Sequence, residues 1–249
     1  MTREERGEIA VRHKIDMGKR YAGLIKASVD ETKIFEDKDL VEKDDNNETT
    51  VIKVIDSTTE KAIHTYGIDY QSGLTVLNFA SFTNPGGGFY SGSITQEEAL
   101  CHDSYLYNVL IQFQRSFYDV NKNDKCYPYY KNRALYSPNI LFGEKYYANV
   151  ITCAAPNISH EKFNMDWDYV TYKAILDSRI DFVLKIAANT YTKTLVLGAF
   201  GCGIFGNDPQ LVAELFKKNL QKYYFEQVIF AIPNTGNDNY EVFKKVFEN

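Results

Sequence analysis

Residues 74–113 read LTVLNFASFTNPGGGFYSGSITQEEALCHDSYLYNVLIQF, an apolar strand running through a glycine-rich turn into a helix. The strand is legible from Leu74 to Ala80, a short apolar run closed by turn residues. The helix is expected from Gln96 to Phe113, with Leu100, Leu106, Val109, Leu110 and Phe113 on one face. Between them Gly86, Gly87 and Gly88 strip the turn of side chains, so its backbone N–H groups can close on a ligand. Gln96, Glu97 and Glu98 then open the helix. Thr95 and Glu98 have the spacing of a capping box, which gives Glu98 a structural use beside a chemical one. The positive end of the helix dipole favours an ionised carboxylate, whereas enclosure in an apolar cleft raises its pKa, and a general acid needs the second effect to prevail. His102, one turn after Glu98, reads either as a second acid/base or as a structural histidine.

Outward from this stretch, strands and helices alternate, which predicts an α/β fold. Strands are expected at Val51–Ile55, Ala148–Cys153, Thr194–Phe200 and Val228–Pro233, and helices at Thr58–Tyr66, Trp167–Tyr191, Pro209–Tyr223 and Asn239–Phe247. At the N-terminal end, Thr2 and Glu5 form a capping box that starts a helix of about twenty residues, ending near Tyr21 to Ala27. The stretch EDKDLVEKDDNNE at 36–48 carries seven acids against two lysines and reads as a solvated linker. Residues 1–50 are therefore expected to be a helical extension with an acidic linker, and 51–249 the main domain. Gln114–Tyr147 is expected to be an irregular insertion. Its nine aromatics, six basic and three acidic residues make it a packed surface or a wall of the site.

With 249 residues, 44% of them hydrophobic, the chain can bury a sizeable core. A net charge of −5 argues against a general nucleic-acid or membrane-surface binder. Cys101, Cys126, Cys153 and Cys202 form no C-x-x-C pair, and His13, His64, His102 and His160 show no ligand spacing, so no metal is expected. The sequence has no signal-like apolar core and no membrane-length apolar run, and a cytoplasmic location is expected.

A second glycine loop, Gly201-Cys202-Gly203-Ile204-Phe205-Gly206, follows an apolar strand and precedes a helix opened by Asp208 and Pro209. The G-x-G-x-x-G spacing suits a dinucleotide site, but too few residues follow for a whole dinucleotide fold, and Pro233 ends the next strand where a ribose-binding acid is wanted. What stands is local physics: such a turn at a helix start presents N–H donors to phosphate. With both loops at the carboxyl ends of strands, one crevice can hold a nucleotide diphosphate. Asn84, in the first turn, has an amide able to bond ribose hydroxyls as donor and acceptor.

NFASFTNPGGGFYSGSITQEEAL and GAFGCGIFGN together resemble the signature and the diphosphate loop of the microbial-type poly(ADP-ribose) glycohydrolases. The similarity extends through ALYSPNILF, VITCAAPN and the N-terminal helix. The resemblance implies a three-layer α/β/α macrodomain with a mixed central sheet, carrying an N-terminal helical extension. It implies hydrolysis of the ribose–ribose glycosidic bond of poly(ADP-ribose), with ADP-ribose as product, the polymer or ADP-ribosylated protein as partner, and no cofactor. Matched residue by residue, Glu98 is the catalytic acid and Glu97 the neighbour that holds ribose hydroxyls. Gln96 opens the signature and Asn84 contacts ribose. Gly86, Gly87 and Gly88 form the catalytic loop; Gly201, Cys202, Gly203, Ile204 and Phe205 form the diphosphate loop, with Phe205 near the terminal ribose. A binding module that reads ADP-ribose without cutting it, a hydrolase of single ADP-ribose units on protein or nucleobase, and a nicotinamide-dependent oxidoreductase are the competing readings.

Overall fold

The structure, a computed structural model, describes residues 1–40, 49–67, 73–159 and 167–248. The chain opens with α1 (Arg3–Arg20), whose Thr2 and Glu5 make the expected capping box. The helix breaks at Tyr21 and resumes as α2 (Ala22–Glu31), followed by a short strand, β1 (Lys33–Glu36). Of the acidic run, Glu36 closes β1 and Asp37–Asp39 forms a 3-10 turn. Positions 41–48 of that run lie outside the described residues.

Next come β2 (Val51–Ile55), α3 (Thr59–Tyr66) and β3 (Leu74–Phe79), at or within a residue of the expected bounds. The helix expected over Gln96–Phe113 is two: α4 (Gln96–His102) and α5 (Leu106–Leu110), the latter running on into a 3-10 turn. Ser104 causes the break. Its hydroxyl donates to the Leu100 carbonyl at 2.7 Å and accepts the Leu106 N–H at 3.0 Å, so the side chain competes with the helical ladder.

The expected irregular insertion at 114–147 is corrected by the structure. After a π-helical turn at Gln114–Tyr118 and α6 (Asp119–Asn123) it contains β4 (Arg133–Phe142) and the start of β5 (Tyr146–Cys153). Pro138 and the left-handed Asn139 (φ 57°) hide β4 from a periodicity reading, because they sit at a bulge where the register shifts between Ser137 and Ile140. The remainder is α7 (Tyr169–Asn189), β6 (Thr194–Leu197), α8 (Pro209–Leu220), β7 (Gln227–Ala231) and α9 (Asn239–Glu248).

Among the described residues the strands form one mixed sheet in the order β1-β4-β5-β3-β6-β7-β2. β5, β3, β6, β7 and β2 run parallel, while β4 and β1 are antiparallel additions at one edge. The N-terminal segment thus supplies an edge strand, Lys33 pairing with Tyr136 and Glu36 with Arg133.

Side-chain alternation divides the core between the two faces of the sheet. Leu77, Ile151, Leu195, Leu197 and Phe230 point into a cluster with α7, α8 and Phe243 of α9. Val76, Val150, Val196 and Ile229 point into another with Ala10 and Met17 of α1, Ala62 and Ile63 of α3, and α4 and α5. The result is a three-layer α/β/α domain whose inner strands are apolar on both faces, as buried parallel strands must be.

Candidate active site

The turns that leave the carboxyl ends of the parallel strands surround one cleft of about 780 Å3. Such a crevice is the preferred ligand position of an open α/β sheet. Its walls come from Thr58 and Thr59 after β2, the turn after β3, Ala155 and Asn157 after β5, the glycine loop after β6, and Ile232, Pro233 and Asn237 after β7.

Glu97 and Glu98 are both almost fully buried (2% and 3% exposed), and both line the cleft. The Glu98 carboxylate divides its oxygens. Oε2 accepts the Thr95 N–H at 2.9 Å and the Thr95 hydroxyl, while Oε1 accepts the Gly88 N–H at 2.7 Å. Capping the helix and holding the glycine turn are therefore simultaneous. Glu97 accepts the Ser81 N–H at 2.7 Å on Oε2 and the Asn78 amide at 3.3 Å on Oε1. Burial pushes the Glu97 carboxyl up to about 8, against the Ser81 and Asn78 hydrogen bonds, and the adjacent Glu98 adds to the rise.

The glycine turn fits this pair closely. Gly87 is left-handed (φ 58°), and a Cβ there would lie 2.6 Å from Glu98 Oε1 and 2.8 Å from Glu97 Oε2. Gly87 and Gly88 line the cleft, as does the exposed Asn84, whose carbonyl accepts the Gly87 N–H at 3.0 Å. Gly86 shapes the turn from behind, its carbonyl accepting the Phe89 N–H at 3.0 Å. The Gln96 amide is spent on the protein. Its oxygen accepts the Phe79 N–H at 2.8 Å, and its nitrogen donates to the Leu77 carbonyl at 2.8 Å and to Thr59 at 3.1 Å. It thereby pins the start of α4 to the end of β3.

In the second loop, Gly201, Gly203, Ile204 and Phe205 line the cleft, whereas Cys202 is turned towards the core. Gly201 is left-handed (φ 73°), and a Cβ would meet the Asn207 amide at 2.3 Å. Buried Asn207 ties the loop down, accepting from the Tyr172 hydroxyl at 2.9 Å and donating to Pro156 and Gly201 carbonyls at 2.9 and 3.0 Å. Among the described residues, the N–H groups of Gly203, Ile204 and Phe205 donate to no protein acceptor. They leave three consecutive backbone donors in a cleft-lining loop, the kind of group that phosphate oxygens accept from.

His102 does not line the cleft. It is half-buried against Phe89 (4.5 Å between ring centres) and near His13 (6.0 Å). Burial, and secondly His13, lowers its pKa. Residues that the sequence reading did not single out also face the cleft, chiefly Phe82, Tyr130 and Asn157. The Phe82 and Tyr130 rings stack at 4.3 Å. The only signal for Tyr130 was the tyrosine richness of its segment. Further support comes from α1, where Arg3 Nε and Arg6 Nε each donate at 2.7 Å to the carbonyls of Ser91 and Gly92. Among the described residues no cluster of three or more His, Cys, Asp or Glu could hold a metal ion. No helix among them is long and apolar enough to cross a membrane.

A three-layer domain with glycine turns at the ends of neighbouring parallel strands, both opening on one cleft, is a macrodomain. Residues 5–143 match the microbial-type PARG catalytic domain, and the chain belongs to that family. The crystal structure of poly(ADP-ribose) glycohydrolase from Thermomonospora curvata bound to the inhibitor ADP-HPD aligns over 98% of this chain and 99% of its own, at 29% identity and a TM-score of 0.83. The Deinococcus radiodurans poly(ADP-ribose) glycohydrolase in complex with ADP-ribose aligns over 90% of this chain and 97% of its own, at 30% identity and a TM-score of 0.80. Among curated proteins none matches the sequence.

Proposed function

We propose that Glu98 is the general acid/base with which this chain, a poly(ADP-ribose) glycohydrolase, cuts the ribose–ribose bond of the polymer and releases ADP-ribose. The observation that carries the assignment is the position of Glu98, buried at the cleft and held by Gly88 of the glycine turn. As the glycosidic bond breaks, the anomeric carbon develops oxocarbenium character and the departing ribose oxygen needs a proton. Glu98 gives that proton to the oxygen; the resulting carboxylate takes one from the water that adds to the anomeric carbon, restoring the acid. Glu97 and Glu98 are adjacent and cannot flank the sugar from opposite faces, so Glu97 has a different task. Neutral at pH 7 because of its burial, it can donate to one ribose hydroxyl and accept from another. Asn84 bonds the same sugar at the mouth. The diphosphate lies on the Gly203, Ile204 and Phe205 N–H groups, with the Phe205 ring beside the terminal ribose. The polymer, free or attached to protein, is the partner, and the cytoplasm is the proposed location.

Replacing Glu98 with Gln tests the assignment. Turnover of the polymer should fall by at least ~100-fold while ADP-ribose affinity is retained. Undiminished turnover in this variant would overturn the role of Glu98. Tight ADP-ribose binding by the wild-type protein without release of ADP-ribose from polymer would instead define a reader.

A further inference from the structure

A diphosphate brings negative charge into the cleft, and among the described residues that line it there is no lysine or arginine. Its carboxyl groups are Glu60, Glu97 and Glu98, of which Glu97 is neutral at pH 7. Exposed Arg3 reaches one rim of the cleft at the Ser91 carbonyl, and a second cation stands inside the protein. Arg179 of α7 is 1% exposed, and its guanidinium is held by neutral groups throughout. Nε donates to the Asn132 side-chain oxygen at 2.6 Å, Nη2 to the carbonyls of Tyr130 at 2.9 Å and Tyr129 at 3.3 Å, and Nη1 to the Ala154 carbonyl. Tyr130 lines the cleft, and so does Ala155, the residue after Ala154. The guanidinium thus stands immediately behind the cleft wall.

Among the described residues no carboxylate pairs with it. Asp37 is held one side chain away, accepting from the Asn132 amide at 2.9 Å, and its charge stabilises the guanidinium only from that distance. A buried cation without a counter-ion is costly, and carbonyl dipoles offset only part of that cost. Here the missing negative charge is available from the ligand.

We propose that Arg179 is an anion-binding determinant of the cleft, acting through the wall: the substrate's diphosphate, rather than a protein carboxylate, is its counter-charge. This rests on the function proposed above. The field of a fixed cation in a poorly polarisable interior reaches farther than it does in water, and salt screens it little. The N–H row of the second loop then fixes where the phosphates sit, and Arg179 supplies the charge that favours their entry.

Three variants test this by titration with ADP-ribose and with adenosine, which carries no charge. Arg179→Met removes both charge and hydrogen bonds. Arg179→Lys keeps the charge and loses the planar fork. The exchange Asp37→Asn with Asn132→Asp moves a carboxylate onto Nε at constant net charge and guards against a Met variant that fails to fold. ADP-ribose should bind about tenfold more weakly to the Met variant and to the exchange variant, and within about threefold of wild type to the Lys variant, a tenfold change being 1.4 kcal/mol. Adenosine affinity should stay unchanged, and the ADP-ribose effect should persist at high salt. The proposal is overturned if the Met or exchange variant binds ADP-ribose as wild type does. It is equally overturned if adenosine loses as much, or if Lys is as poor as Met, since Arg179 would then only shape the Tyr130 wall. Wild-type protein that binds no ADP-ribose would refute the underlying function instead.

Discussion

Glu98 spans two structures with one carboxylate, and the geometry leaves little room around it. Gly87→Ala should show this: the added methyl would fall within 2.8 Å of both acids, in a left-handed backbone that alanine adopts at a cost of about 1 kcal/mol or more. Polymer turnover should fall by ~100-fold or more, as for a displaced reacting group, with the fold retained by circular dichroism. Gly203→Ala is the counterpart, because a Cβ there has nothing within 4 Å. Its melting temperature should match wild type, while calorimetry should find ADP-ribose bound about tenfold more weakly, since the methyl stands among the phosphate donors. Glu97 gives a pH signature. Its folded pKa, about 8, lies above the ordinary 4.5, so between those values the native state holds a proton that the unfolded chain has lost. Stability from this group is full below about 4.5 and declines as pH rises to about 8. Glu97→Gln removes that decline. Its melting temperature should exceed that of wild type increasingly through this window, by ~5 °C at the alkaline end for a few kcal/mol. A constant difference across pH would refute the burial of an uncharged acid.

These residues were legible as types and spacings, and the resemblance gave them roles, but their partners were not. The Thr95–Glu98 spacing offered capping or catalysis as alternatives. The structure joins capping to a hold on the glycine turn, because Gly88, ten residues back, is brought to the second oxygen by the left-handed Gly86 and Gly87. Gln96 read as the residue that opens the signature; it lines the cleft, and its amide bonds β3 and α3, contacts that depend on strand placement and leave no trace in a local pattern.

At the scale of elements, α1 is the one whose task sequence left blank. Its capping box and length were readable, but its contact with the glycine turn was not, being made across more than eighty residues of chain. Arg3 and Arg6 hold the Ser91 and Gly92 carbonyls, and the Ser91 and Ser93 N–H groups meet at the Gly88 carbonyl, both at 3.0–3.1 Å. Gly7 allows the approach, since a Cβ would sit 2.6 Å from the Tyr90 carbonyl. Gly7→Val should therefore lift the helix from the turn and lower kcat by ~10-fold or more. ADP-ribose affinity should change less, because the loop proposed to hold the diphosphate is anchored elsewhere, through Asn207. Equal loss in kcat and affinity, measured on the same preparation, would refute this division. β1 and β4 escaped a pattern reading for different reasons: β1 is four residues beside an acidic run, and β4 carries a proline and a bulge in its middle.

Across the whole molecule, the sheet orders stability as well as position. Strands β3, β5 and β6 are covered on both faces and flanked on both sides, whereas β1 and β2 are edges. Native-state hydrogen exchange should find the slowest amides in the former and the fastest strand amides in β1 and β2. Exchange as slow at the edges would contradict the strand order. The α/β class followed from the alternation of elements, but strand order could not, because it is set by pairings between segments far apart in sequence.

The pairing of β2 with β7, Val51 against Gln227, carries a consequence for how the protein is made. Among the described residues β2 has no other strand neighbour, and the turn after it supplies Thr58 and Thr59 to the cleft. During synthesis those residues emerge early but have no strand to rest on until more than 170 residues later, when β7 leaves the ribosome. The Glu97–Glu98 turn and its strand are complete well before that, with one wall still missing. A chain interrupted before β7 therefore has the acidic pair without a finished pocket.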